Sequence, residues 1–102
     1  MYGIIFEWHL KVGEEQAFCN EWKTGSDVIQ TYPGARGTKL FRSVDKPGTF
    51  FAIAEWDSKE ARDAAFGEIK KRPDAHQVLR GHEKFVDYDE VIARLEFIAE
   101  SP

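Results

Sequence analysis

From Tyr2 to Leu10 apolar side chains occupy every second position, with Ile4, Phe6, Trp8 and Leu10 on one side and Ile5, Glu7 and His9 on the other. A period of two with one fully apolar side predicts a strand whose inner face is buried. Gly13, Glu14 and Glu15 follow, and acids at that point complement the positive end of a helix starting there. Phe18, Trp22, Ile29 and Tyr32 then recur near the helical period. Thr24-Gly25-Ser26-Asp27 interrupts this stripe with residues that are poor in helix interiors, which predicts a weakened or bent helix. Tyr32-Pro33-Gly34 ends it, because proline cannot continue the hydrogen-bond ladder.

Two runs of strand formers, Gly37 to Val44 and Thr49 to Trp56, are joined by Asp45-Lys46-Pro47-Gly48 and read as a hairpin. After Trp56 the sequence Asp57-Ser58-Lys59-Glu60 fits a capping box, with Asp57 or Ser58 accepting from the first amides of a helix and Glu60 reaching back. Ala61, Ala64, Ala65 and Ile69 give that helix a small-residue face suited to close approach to a sheet, and Lys70-Lys71-Arg72-Pro73 stops it. A shorter helical turn or two follows, broken at Gly81, and a last strand is predicted over Val91 to Ser101 with Ala93, Leu95 and Phe97 opposed to Ile92, Arg94, Glu96 and Ile98. The order β-α-β-β-α-β, with one additional short helix, is the ferredoxin-like split βαβ arrangement of the α+β class. It predicts a four-stranded antiparallel sheet covered on one face by two helices.

The uncovered face changes this picture. With Ile4, Phe6, Trp8, Leu40, Ala52, Ala54 and Leu95 turned to the helices, the other face carries Ile5, Phe41, Phe51, Ile53, Ile92 and Ile98. Among them stand Glu7, His9, Lys39, Glu55, Arg94 and Glu96. An apolar patch of this extent exceeds what a soluble monomer ordinarily exposes, so a homodimer through the sheet face is expected. Charges interleaved on the face would favour one register of pairing.

At 102 residues one domain spanning 1–102 is expected. A net charge of −4 and no basic run longer than Lys70-Lys71-Arg72 exclude a dedicated nucleic-acid surface. No apolar run reaches the ~20 residues of a membrane span. Cys19 is alone and the first ten residues lack the basic start and apolar core of a secretory signal, which places the protein in the cytoplasm.

Several side chains could carry chemistry. His76 and His82 lie where the segment before the last strand caps one end of the sheet–helix gap, either as a base titrating near neutrality or as exposed residues of a polar helix. His9 belongs to the opposite strand face. Trp22 and Tyr32 lie on the buried stripe of the first helix, as core or as directed donors to a ligand. Arg42 alternates with Thr38, Leu40 and Val44 on the helix-facing side, where it needs an anionic partner or ligand or else snorkels out at the sheet edge. Cys19 has no cation near it in sequence and reads as packing. His76 and His82 are six apart, which does not put them on one helical face, and no metal-ligand spacing is present. Trp56 reads as the peg closing one end of the core, with room for a ligand over Ala52 and Ala54.

The segments Phe18-Cys19-Asn20-Glu21-Trp22, Tyr32 to Ser43 and Gly48 to Phe66, in this order and spacing, resemble the antibiotic biosynthesis monooxygenase superfamily over nearly the whole chain, Tyr2 to about Ala99. The resemblance implies a dimeric α+β barrel with small-molecule oxygen chemistry between sheet and helices, needing no metal or flavin cofactor. Its substrate would be a small electron-rich aromatic or quinol, able to give an electron to triplet O2 once deprotonated. Trp22, Arg42 and His76 are the residues expected to line or serve that pocket. The alternatives are a non-catalytic dimeric barrel holding a small hydrophobic ligand, and the heme-degrading branch of the superfamily. That branch uses an Asn on the first strand, a Trp on the second helix and a His soon after. Here the strand offers Glu7, Trp8 and His9, the Trp position falls on Ala65 or Phe66, and only His76 matches.

Overall fold

In a computed structural model describing residues 1–102, two proline–glycine pairs set the chain reversals. Gly34 and Gly48 have φ of 89° and 79°, and each follows a proline. The turns close by Ala35 N–H donating to the Tyr32 carbonyl (3.3 Å) and Thr49 N–H to that of Lys46 (3.1 Å). Proline at the second and positive-φ glycine at the third position is the type II pattern. Between and around them run β1 (Tyr2–Leu10), α1 (Glu15–Ile29), β2 (Ala35–Arg42), β3 (Thr49–Trp56), α2 (Lys59–Ile69), α3 (Ala75–Arg80), a 3₁₀ turn (Glu83–Phe85) and β4 (Val86–Glu96). The strands form one antiparallel sheet in the order β2-β3-β1-β4. This is the ferredoxin-like α+β fold. The core gathers on the inner face, where Trp8, Phe18, Phe50 and Ala52 form a buried cluster.

α1 runs unbroken through Thr24–Asp27, where the sequence predicted weakness. The reason is packing. Gly25 is buried, and a Cβ there would overlap the backbone carbonyl of Val78 in α3. Glycine therefore costs helix propensity but lets α3 lie directly against α1. Gly25→Ala is expected to lower stability by about 1–3 kcal/mol, despite the gain of about 1 kcal/mol in helix propensity, because the clash is with backbone. Urea denaturation measures this, and a stabilised variant would contradict the packing account.

Ser58 alone caps α2: its Oγ accepts from Ala61 N–H at 3.0 Å. Asp57 is engaged elsewhere, in an ion pair with Arg36, so the expected reciprocal contact with Glu60 is not the one used. Of the expected small face, Ala65 and Ile69 are buried while Ala64 is exposed.

The last strand corrects two expectations. It covers Val86–Glu96 rather than Val91 to Ser101. It also carries a register shift: Phe6 pairs with Val91 but Ile5 with Ala93, which leaves Ile92 as an extra residue. Beyond that bulge the facing of side chains reverses. Leu95 stands opposite Gly3 on the outer face, and Arg94 and Glu96 stand opposite Ile4 and Tyr2 on the helix side. Ile98 lies outside the strand. The outer face nonetheless remains apolar, with Phe41 beside Phe51 and Ile53 beside Ile5. Phe41, Ile53 and Leu95 are exposed there.

Candidate functional site: a cavity between sheet and helices

Small side chains on β3 create the site. Ala52 and Ala54 face the helices opposite Phe6 and Ile4 of β1, so the sheet floor is hollow where larger residues would reach the helices. The hollow is a cavity of about 420 Å³ between these strands and α1, α2 and α3. That volume is within the range of small-molecule sites. Trp22 and Ile29 of α1, Phe66 of α2 and Leu79 of α3 supply apolar wall.

The register fixes the two ends. Trp8 pairs with Phe50, and Trp56 pairs with Tyr2, six residues along β1. At 3.3–3.4 Å per residue the two levels are about 20 Å apart along the strand. At the Trp8 end lies His82, its ring edge-on to Trp8 (centroids 5.4 Å apart) and to Phe18 (5.7 Å). Burial among these rings pushes the His82 pKa below its ordinary value, outweighing the opposing pull of the Glu83 and Asp89 carboxylates. The imidazole is therefore held neutral. Glu83 and Asp89 also line the cavity, whereas the Glu90 carboxylate is turned to the outer face, where it accepts from the Tyr88 hydroxyl.

At the other end Trp56 is both peg and wall. It is only 2% exposed yet borders the cavity, and it packs edge-on against Phe66 at 6.2 Å. The guanidinium of Arg62 lies over the Phe66 ring, 3.8 Å from its centroid. Arg62 and Phe66 of α2, and Lys70 just past its end, stand four residues apart in turn, and all three border the cavity.

Of the residues singled out in the sequence, Trp22 lines this cavity, while Arg42 and His76 lie outside it. Arg42 follows the snorkelling alternative: its side chain is 65% exposed, with Nε donating to Glu15 Oε1 at 2.6 Å. It sits at the mouth of α1, with its guanidinium 5.8 Å from the Phe50 ring centre. His76 is exposed on α3, whose buried residue is Val78. Tyr32 accepts a hydrogen bond from Arg72 at 3.3 Å. His9 is on the outer face, bonded to Glu7 (2.6 Å) and stacked on Tyr88. Cys19 packs against the core cluster, and burial raises its thiol pKa. No group of three or more His, Cys, Asp or Glu side chains is gathered closely enough to hold a metal ion.

Sequence reasoning passed over Arg62 and gave His82 no preference over His76. A signal existed for Arg62, since it shares a helical face with Ala65, Phe66 and Ile69, and an arginine among buried positions calls for a reason. His82 carried no such signal in the sequence and is set apart by packing, edge-on to Trp8 and Phe18, beside the tightly enclosed Gly81. That glycine is buried, and a Cβ there would fall 2.6 Å from the Gln77 carbonyl oxygen.

The fold has relatives among solved structures. A Nitrosomonas europaea protein provisionally assigned as an antibiotic biosynthesis monooxygenase superposes with a TM-score of 0.77 at 14% identity, covering 97% of this chain and 100% of its own. SnoaB, a cofactor-independent oxygenase from Streptomyces nogalater, gives 0.74 at 17% identity, covering 99% and 94%. PA3566 from Pseudomonas aeruginosa gives 0.72 at 15% identity, covering 96% and 94%. At such identities the likeness is one of fold. No curated protein sequence matches the chain. The sequence profile of antibiotic biosynthesis monooxygenases, however, matches residues 1–68, the stretch that builds β1, α1, the β2–β3 hairpin and most of α2. The chain belongs to the antibiotic biosynthesis monooxygenase family.

Proposed function

We propose that this protein is a cofactor-independent monooxygenase acting with O2 on a small electron-rich aromatic or quinol held in the sheet–helix cavity. The observation that carries the reading is His82, an imidazole kept neutral by burial at one end of an aromatic-walled cavity. A neutral imidazole there is a competent general base at physiological pH. Triplet O2 reacts slowly with closed-shell molecules, so the protein's task is to generate a carbanion or phenolate and keep bulk water away from it. With an anthrone, His82 would take a proton from the ring CH2. The resulting enolate passes one electron to O2, and the radical pair combines into a C–O bond. The hydroperoxide then loses water to leave a ketone. One oxygen atom enters the product, the other leaves as water, and the substrate supplies all the electrons. SnoaB, a cofactor-independent oxygenase, has the same fold, which supports this class of chemistry.

Trp22 forms part of the cavity wall in this reading, and Arg42 and His76 have no contact with substrate. Heme degradation is not favoured, because His76, the one residue matching that branch, lies outside the cavity. Aerobic oxygen-uptake assays across anthrones and hydroquinones test the proposal. Protein-dependent uptake is expected with at least one class. Uptake at the uncatalysed rate with every member, alongside binding of the same compounds, would instead favour a ligand-holding barrel.

We further propose that two copies pair through the outer sheet face, burying Phe41, Ile53 and Leu95, all exposed in the single chain. Ile53→Glu would place two unpaired carboxylates in such a symmetric interface. It is expected to raise the dissociation constant at least about 100-fold. Sedimentation velocity reads this directly, and an unchanged dimer would move the interface elsewhere. No helix is long and apolar enough to cross a membrane. We also propose a cytoplasmic location, in keeping with a chain whose one cysteine has no partner for an internal disulfide.

A further inference from the structure

At the Trp56 end of the cavity one polar group has no partner. Arg62 Nε is buried and makes no hydrogen bond. The rest of the guanidinium is scarcely better served: Nη1 is 3.4 Å from Asp63 Oδ1, and Asp63 is already held by Lys59 at 2.8 Å. Nε itself has no accessible surface, so a ligand oxygen would meet the part of the side chain that stays 30% exposed, and a small turn of the guanidinium toward that oxygen would relieve the cost of the unpaired N–H. The group is also held in place, because its Cζ lies over the Phe66 ring, 3.8 Å from the centroid, and both residues border the cavity. The His82 end is opposite in sign. Asp89 lines it beside Glu83, and Arg80 there is paired with Glu83.

We propose that Arg62 is the specificity residue of the cavity, binding an anionic oxygen of the ligand and so orienting it with its reacting carbon toward His82. The preferred ligand is an aromatic hydroxy compound that carries a carboxylate or similarly acidic oxygen at the end remote from the group to be deprotonated. Two features select this orientation. Arginine offers a flat fork of donors matched to carboxylate oxygens, and the acidic end of the cavity repels an anion presented there. The proposal rests on the cavity being the ligand site, but not on turnover.

Anaerobic calorimetric titration with two probes, 6-hydroxy-2-naphthoate and 2-naphthol, tests it without oxygen chemistry. The wild-type protein is expected to bind the acid at least about 10-fold more tightly than the neutral naphthol, with the preference shrinking at high salt. In Arg62→Gln the preference should vanish while naphthol binding changes less than about 2-fold. Arg62→Lys, which keeps the charge but loses the fork, should retain part of the preference. Equal binding of the two probes by the wild type, no binding of either, or a preference that survives in Arg62→Gln would each overturn the assignment. An absence of oxygen uptake with these compounds, by contrast, would count against the oxygenase reading and leave the role of Arg62 intact.

Discussion

Replacing His82 by glutamine is expected to lower protein-dependent oxygen consumption by about 10²- to 10⁴-fold, the usual contribution of a positioned general base. The loss should fall on kcat rather than on binding, since glutamine keeps a polar side chain of similar size at that one position of the wall and leaves the rest of the cavity unchanged. The pH dependence follows from the direction of the shift. Burial lowers the His82 pKa from its ordinary 6.5, so the base form is present at neutral pH. Activity should then rise with pH through an apparent pKa below 6.5, level off by pH 7, and lose this limb in His82→Gln. Stability moves in the same direction. The unfolded chain protonates this histidine more readily than the folded one, so stability falls as pH drops from about 6.5 through the lowered folded pKa. That part of the acid sensitivity should be absent in His82→Gln. A variant with wild-type rates, or a rate profile without the low-pH limb in the wild type, would remove His82 from the mechanism.

The second large effect comes from filling the cavity. Ala54 is half-buried on β3, between Ile4 of β1 and Thr38 of β2, and borders the hollow directly. Ala54→Phe puts an aromatic ring into space a ligand needs. Binding of naphthol-sized probes is expected to weaken at least about 100-fold and oxygen consumption to fall to the uncatalysed rate, because a filled cavity leaves no room for the substrate. The same substitution adds apolar contacts where there were none, so stability should hold or rise by about 0.5–2 kcal/mol. Loss of activity with a retained or raised melting temperature is the diagnostic pair. Full activity in Ala54→Phe would place the chemistry outside this cavity.

Much of the fold was legible because it depends on local rules. The alternation from Tyr2 to Leu10 and the Pro47-Gly48 turn need no distant partner to be read. The position of the hollow over Ala52 and Ala54 was legible too, since two small residues on an inward face leave volume that nothing nearby restores. What could not be read depended on contacts between elements. Gly25 looked like a helix breaker, but its value is to α3, which approaches it from more than fifty residues away. The apparent alternation at the end of the chain was real, yet the bulge at Ile92 reversed which face it served. Leu95, expected inside, lies outside for that reason.

The site divides the same way. Trp22 followed from the helical stripe. Arg42 was placed on the correct strand face, but whether it stayed in or snorkelled out depended on Glu15, 27 residues away, which meets it at the edge. His76 and His82 were alike in sequence, and only packing against Trp8 and Phe18 separates them. Arg62 shows how a site residue can be hidden by its surroundings. Next to Asp63 and on a charged helix it resembled a solvated surface residue. Its buried, unpartnered Nε becomes visible only when α2 is laid over the sheet.

The central claim is that O2 is reduced by a substrate deprotonated at His82 inside the sheet–helix cavity. The most direct measurement is the oxygen-uptake rate with anthrone in chelator-treated buffer, together with the amount of anthraquinone formed, for wild type, His82→Gln and His76→Ala. The account predicts one O2 consumed per anthraquinone formed, a wild-type rate well above the buffer rate, an undiminished rate in His76→Ala and a collapsed one in His82→Gln. Wild-type uptake that His82→Gln leaves unchanged, or that His76→Ala abolishes, would contradict it.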